Sequence, residues 1–254
     1  MKKKSIKSPR VQKAFRSLRK LYSDIPDTKG CMENICKENG CQGYCCRIQS
    51  PSILYIEFLR IWNQVMHNWK WEDIVDVIEK SIRTYLSSNA TKGCVLWDEN
   101  TKLCRCHTSR GLSCYVYGIT PDEEFNPRLE KFRQKYKDDP TAIFKEQCKL
   151  ISTVDGSKIT KVQTDAWWNR LVKIEESIGV DKKYINDEEE GTYRMPHDHI
   201  LLNTCSDEVL GELTRLKLLG TAEEKVMAID KFISVFKKNL TEHLAYLKGK
   251  ANGK

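Results

Sequence analysis

No stretch of this chain approaches the run of about 20 apolar residues that a membrane-spanning helix needs, so no membrane partner is expected. The basic N-terminus is not followed by an apolar segment, which argues against a secretory signal and for the cytosol as the compartment. No C-x2-C pair, the tight knuckle of zinc ribbons, occurs anywhere. A Walker loop, GxSxG and HExxH are also missing, which removes the commonest nucleotide, acyl-transfer and zinc-protease signatures. The C-x3-C-x2-C pattern of radical enzymes is absent too, because three residues separate Cys41 from Cys45 and none separates Cys45 from Cys46. Acidic residues are missing from the first segment, where nothing negative precedes Asp24.

That last absence localises the charge. Of the net +8, nine positive side chains (Lys2, Lys3, Lys4, Lys7, Arg10, Lys13, Arg16, Arg19 and Lys20) stand before Asp24, leaving 34 basic against 35 acidic residues in the rest. The excess therefore belongs to one arm, residues 1–23. Such an arm can neutralise nucleic-acid phosphates, or it can be a solvated, partly helical tail, since Val11, Phe15, Leu18 and Leu21 or Tyr22 follow a helical stripe. At 254 residues with 40% hydrophobic content, the chain has material for a real core in one large domain or two ordinary ones.

Eleven cysteines are present. A disulfide framework fits poorly, because the number is odd, the chain long and no export signal is read. Adjacent Cys45 and Cys46 are also poorly placed to bridge each other, since a disulfide wants alpha carbons about 5.5 Å apart. Metal binding is the better reading. The first cluster, Cys31, Cys36, Cys41, Cys45 and Cys46, lies in a turn-rich stretch with Gly30, Gly40 and Gly43. Glycine lets such a stretch wrap tightly around an ion or cluster. The second, CVLWDENTKLCRCHTSRGLSC, places Cys94, Cys104 and Cys114 with nine residues in each gap, and Cys106 and His107 inside the second gap. Thiolates serve zinc and iron–sulfur clusters alike, usually four protein ligands to a unit. These nine cysteines could hold two sites, or one with spare thiols. The missing knuckles and nearby Tyr44, Trp97, Tyr115 and Tyr117 favour iron–sulfur, with zinc as the alternative. Cys148 and Cys205 stand apart and read as small buried residues. His197 and His199, with Asp198 between them, have the spacing of strand neighbours and read as a loop or partner contact rather than a metal pair. His67 and His243 read as surface residues, and Trp167 and Trp168 as packing anchors.

CQGYCC at Cys41 to Cys46, CVLWDENTKLC and CRCHTSRGLSC together resemble the YkgJ-type cysteine-cluster family, a zinc- or iron-chelating domain named for a CxxCxxCC motif. Family members often read C-x-F-L-D-x-x-x-G-x-C and then C-x-I-Y-x-x-R-P-x-x-C-R-x-Y. Cys94, Leu96, Asp98 and Cys104 resemble the first half; Arg110, Cys114 and Tyr117 resemble the second. Gly111 stands where the family usually has proline, and Tyr115 where it usually has arginine. The resemblance runs over roughly residues 31–118. It implies metal binding, and some relatives in this broad family are linked to lysine methylation of flagellin.

The remaining pattern predicts a mostly α protein, with cysteine-rich loops folded around a metal site and little or no β. Leu54, Phe58, Ile61 and Val65 mark one helix, and Trp71, Ile74, Val75, Ile78, Ile82, Tyr85 and Leu86 a second. Asn126 followed by Pro127 predicts a helix start, with Leu129, Phe132 and Tyr136 facing inward. Thr164 is expected to begin a helix that Gly179 stops, and Ser206 one that Gly220 closes. After a charged linker at 187–191, Thr221 and Glu224 predict a capping box, opening a helix with an apolar stripe from Val226 through Ile229, Ile233, Phe236, Leu240 and Leu244 to Leu247. The expected division is a basic arm at 1–23, a cysteine-cluster metal-binding domain at 24–125 and a helical region at 126–254. Three functions remain open. One is a structural or electron-transfer metal site. Another is a cluster-dependent, methyltransferase-like enzyme acting on a protein or small molecule, with Arg110 holding an anionic group or balancing cluster charge. The third is a zinc-stabilised nucleic-acid or polymerase-associated factor using the basic arm. A protein partner fits any of the three.

Overall fold

The structure, a computed structural model, describes residues 4–29, 43–144, 146–148, 151–181, 185 and 194–219, and beyond these residues 223, 226, 227, 230, 234, 237, 238, 241 and 242. Helices dominate, as the sequence pattern predicts. The first, α1 (Pro9–Ser23), starts where Ser8 accepts a hydrogen bond from the Val11 amide and Pro9 needs no acceptor. Its apolar stripe, Val11, Ala14, Phe15, Leu18, Leu21 and Tyr22, is buried. The arm is thus a docked helix rather than a solvated tail.

β1 (Thr28–Lys29) pairs antiparallel with β2 (Ser152–Thr153). Short α2 (Tyr44–Ile48) precedes α3 (Tyr55–Asn68) and α4 (Trp71–Leu86), whose buried faces follow the 3.6-residue period. The first amides of α3 find buried carboxylates. The Leu54 amide donates to Glu57 Oε2 at 2.8 Å, and the Tyr55 and Ile56 amides donate to Glu175 at 3.2 and 2.8 Å. Negative charge at a helix N-terminus opposes the positive end of the helix dipole and satisfies amides that have no intrahelical partner.

The short helix α5 (Leu112–Tyr115) leads to α6 (Asp122–Lys135). Here the expected start at Asn126 is corrected. The helix begins at Asp122, because Asp122, Glu123 and Glu124 suit its first turn and buried Glu124 accepts the Thr164 hydroxyl from across the core. Pro127 sits inside it, and Leu129, Phe132 and Tyr136 are only half-buried. α7 (Lys161–Ser177) likewise begins before Thr164, at a reciprocal cap of Thr160 and Gln163. Gly179, at φ +81°, closes it in a left-handed turn.

α8 (Pro196–Thr204) and α9 (Asp207–Leu218, capped by Ser206) follow, and the described residues between 223 and 242 are helical as well, where the late stripe predicts a helix. α1 packs on α7 and α3, α8 on α4 and α3, and α9 on α4. Residues on both sides of position 126, from Val11 to Leu213, share one hydrophobic core. His197 and His199, spaced like strand neighbours, lie instead on α8, where both are buried. The expected linker at 187–191, Gly220, Thr221, Glu224 and His243 fall outside the described residues; of the late apolar stripe only Val226 is described, and it is 57% exposed. Among the described residues no helix is long and apolar enough to cross a membrane.

Candidate metal centre

The two cysteine segments are stitched together by their backbones. Gly43, at φ +68°, turns the chain into α2, which carries Cys45 and Cys46. The Cys94 amide then donates to the Cys46 carbonyl at 2.7 Å, and the Ser50 amide to the Lys92 carbonyl at 2.7 Å. Gly93 permits this approach, since a Cβ there would stand 2.3 Å from the Arg47 carbonyl oxygen. Beyond Cys94 the chain folds into a tight hairpin: Asp98 N–H bonds Leu103 O at 2.8 Å, Arg105 N–H bonds Leu96 O at 2.9 Å, and Trp97 bridges Cys104. The Asp98 carboxylate holds the turn by accepting from the Asn100 and Thr101 amides, both at 2.8 Å, which keeps its own pKa low. This hairpin sets Cys104 back beside Cys94.

Cys114 is positioned from the other side. It lies on α5, whose leading Leu112 amide donates to Glu57 Oε1 at 2.6 Å. Glu57 also accepts from Leu54 N–H and from the Tyr22 hydroxyl at 2.7 Å, and it is 1% exposed. Burial still pushes its pKa up, and pushes Tyr22 well up, with the Glu57 charge adding to the latter. Gly111, where the resembled family has proline, has no room for a side chain: a Cβ would stand 2.5 Å from Ile53 Cγ2.

The thiols feel one another. Cys46 is held well above the usual thiol range, first by its hydrogen bond with Cys45, then by burial and by the charges of Cys45, Cys94 and Cys114. Burial pushes the Cys94 thiol up to about 12, with Cys104 adding to the rise and the Leu96 and Trp97 amides opposing it. Cys106, fully enclosed in the core, is pushed higher by burial and then by Cys104 and Cys94. A gathering of thiols that suppress each other's ionisation suits a soft cation, because the metal's charge deprotonates a coordinating thiol outright. By donor chemistry the residues present fit a thiolate-held metal. Among the described residues, however, no three His, Cys, Asp or Glu side chains are grouped to hold an ion. Cys31, Cys36 and Cys41, expected as ligands, lie outside the described residues, as does the side chain of Tyr44.

Cations and aromatics pair with one another in the second cysteine segment and on the helices that pack near it. Arg110 lies 4.3 Å over the Tyr115 ring, Tyr115 stacks on Tyr22 at 4.6 Å, and Arg60 caps Tyr22 at 4.8 Å. Arg105 sits 3.8 Å over Trp69 and pairs with Asp73 at 2.9 Å. Arg47 and Lys102 flank Trp97. Two donors within the second cysteine segment, Trp97 Nε1 and Arg110 Nε, are buried with no hydrogen-bond partner among the described residues. An unmatched buried donor costs about 1–3 kcal/mol.

Other candidates are placed elsewhere or engaged otherwise. Arg110 Nη1 lies against the His107 imidazole. His199 Nε2 is 3.1 Å from the Ile53 carbonyl and stacks on Phe58, while desolvation drops His197 to about 4. Cys205 is 1% exposed in the core, Cys148 is half-buried, Trp167 is buried and His67 is exposed. Glu57 is the site residue that sequence reasoning missed. A glutamate three residues after Leu54, at a helix start, was the one available signal.

Residues 35–151 match the model of the CxxCxxCC family, described as "Putative zinc- or iron-chelating domain". No curated protein and no solved structure matches the chain.

Proposed function

We propose that this chain, whose residues 35–151 match the model of a zinc- or iron-chelating cysteine domain, holds on its thiolates an iron–sulfur cluster with a structural or electron-transferring role. The observation that carries this reading is the pair of buried, unmatched donors, Trp97 Nε1 and Arg110 Nε, within the second cysteine segment. A zinc ion held by four thiolates offers only the four cysteine sulfurs as acceptors. A cluster adds inorganic sulfides that take N–H hydrogen bonds and carry negative charge, and such bonds and charges set its potential. Arg110, always protonated, would balance that charge. The aromatic side chains of Trp97 and Tyr115 would restrict water at the same site.

In this reading Cys45, Cys46, Cys94, Cys104 and Cys114 supply the described ligand candidates, with Cys31, Cys36 and Cys41 completing the set. Cys106 serves the core, since it is wholly enclosed and burial suppresses its ionisation. The cluster, when bound, supplies charge neutralisation of the thiolates and a one-electron redox couple. The protein's own contribution is to hold the two segments against each other through the Cys94–Cys46 hydrogen bond and to anchor the Cys114 helix on α3 through the Leu112–Glu57 bond.

Anaerobic purification followed by visible spectroscopy tests the proposal. A broad absorption near the visible edge that bleaches with dithionite supports it. A colourless protein that retains stoichiometric zinc overturns it.

A further inference from the structure

The docked basic helix has a second face. Around α1, Val11, Ala14, Phe15, Leu18, Leu21 and Tyr22 occupy the buried side, while Arg10, Lys13, Arg16, Arg19 and Lys20 are all exposed. At 100° per residue these five spread across about half of the helix circumference. None of them makes an ion pair or side-chain hydrogen bond with a described residue, and no acid stands before Asp24. The rest of the chain is close to neutral, so the excess lies in this arm, and five of its nine positive charges stand on this one ridge.

We propose that this ridge docks on the phosphate backbone of duplex DNA. Its apolar side is already used by the core, so the helix has nothing to insert into a bilayer, which removes the amphipathic mode of membrane binding. The exposed face carries no aromatic ring, so it lacks the stacking platform that single strands require. A helix is about 10–12 Å across and the B-form major groove about 12 Å wide, whereas the A-form groove of RNA is too narrow to admit one. Charges spread over half the circumference can meet phosphates on both walls of such a groove. The contacts are to backbone, so binding is tight only at low salt and tolerant of sequence.

The test uses the full-length, metal-loaded protein and a fluorescent 20-base-pair duplex of mixed sequence, with anisotropy followed across a salt series. Five neutralised phosphates give a log–log salt slope of about −4.5, and the triple variant Lys13→Gln, Arg16→Gln, Lys20→Gln lowers it to about −1.8. Metal content and melting temperature of the variant stay at the parent values, because the three side chains are exposed and unpaired; this separates failure here from failure of the cluster proposal. The inference is overturned if the duplex is not bound at low salt, or if the variant keeps the parent slope. It is equally overturned if duplex RNA, a single strand or anionic phosphatidylserine vesicles bind as tightly as the DNA.

Discussion

Replacing Glu57 with alanine is the most informative single perturbation of the scaffold. The buried carboxylate accepts three hydrogen bonds, from Leu54 N–H at 2.8 Å, Leu112 N–H at 2.6 Å and the Tyr22 hydroxyl at 2.7 Å. These join the start of α3, the Cys114 segment and α1. Removing the carboxylate strands three buried donors, each costing about 1–3 kcal/mol, and leaves a cavity besides. Allowing for relaxation and entry of water, the expected loss is about 4 kcal/mol, a large share of the roughly 5–15 kcal/mol that holds a domain together. Glu57→Gln keeps one acceptor oxygen and should lose about half as much. Urea unfolding at unchanged slope measures both, and amide exchange locates the effect: Leu112 and Leu54 should lose protection more than the α8 amides. A Glu57→Ala protein within about 1 kcal/mol of the parent, or with Leu112 exchange unchanged, would mean that the carboxylate does not hold these three elements together.

Lowering the pH should expose the His197 burial. Its folded pKa of about 4 lies below the ordinary 6.5, so the unfolded chain binds the extra proton and stability falls as pH drops from 6.5 to 4. The loss approaches about 3 kcal/mol, and His197→Leu should flatten that part of the pH profile; equal slopes in the two proteins would contradict it. Gly93→Ala should separate the cysteine segments, because a Cβ would stand 2.3 Å from Arg47 O. Its metal content should drop by more than half while the far-ultraviolet helical signal persists, and full metal retention would count against the stitched geometry. Cys45→Ser and Cys114→Ser should strip the metal, whereas Cys205→Ser, in the core at the end of α8, should keep it at a cost of about 1 kcal/mol. Equal metal in all three would sink the ligand assignment.

What the sequence made legible was periodic. The stripes of α1, α3 and α4 repeat every three or four residues, and burial follows them. Cysteine spacing marked two segments able to hold one site or two, and the Cys94–Cys46 backbone bond brings those segments together. What stayed hidden depends on partners distant in sequence. Glu57 meets Leu112 across 55 positions, and Glu175 meets Ile56 across 119, so nothing local marks either acid as buried. The Asn126–Pro127 pair is a genuine local start signal, but three acids and the Glu124–Thr164 contact outweigh it. The histidines of MPHDH carry a period of two only by accident, since Pro196 opens a helix as well as it breaks a strand.

Whether these thiolates hold an iron–sulfur cluster is decided by elemental and acid-labile sulfide analysis of the anaerobically purified full chain. Iron and inorganic sulfide should be found in near-equal amounts with little zinc, the match expected of two- and four-iron clusters. Zinc without sulfide, or protein free of both metals yet folded around Cys46 and Cys94, would contradict the cluster assignment.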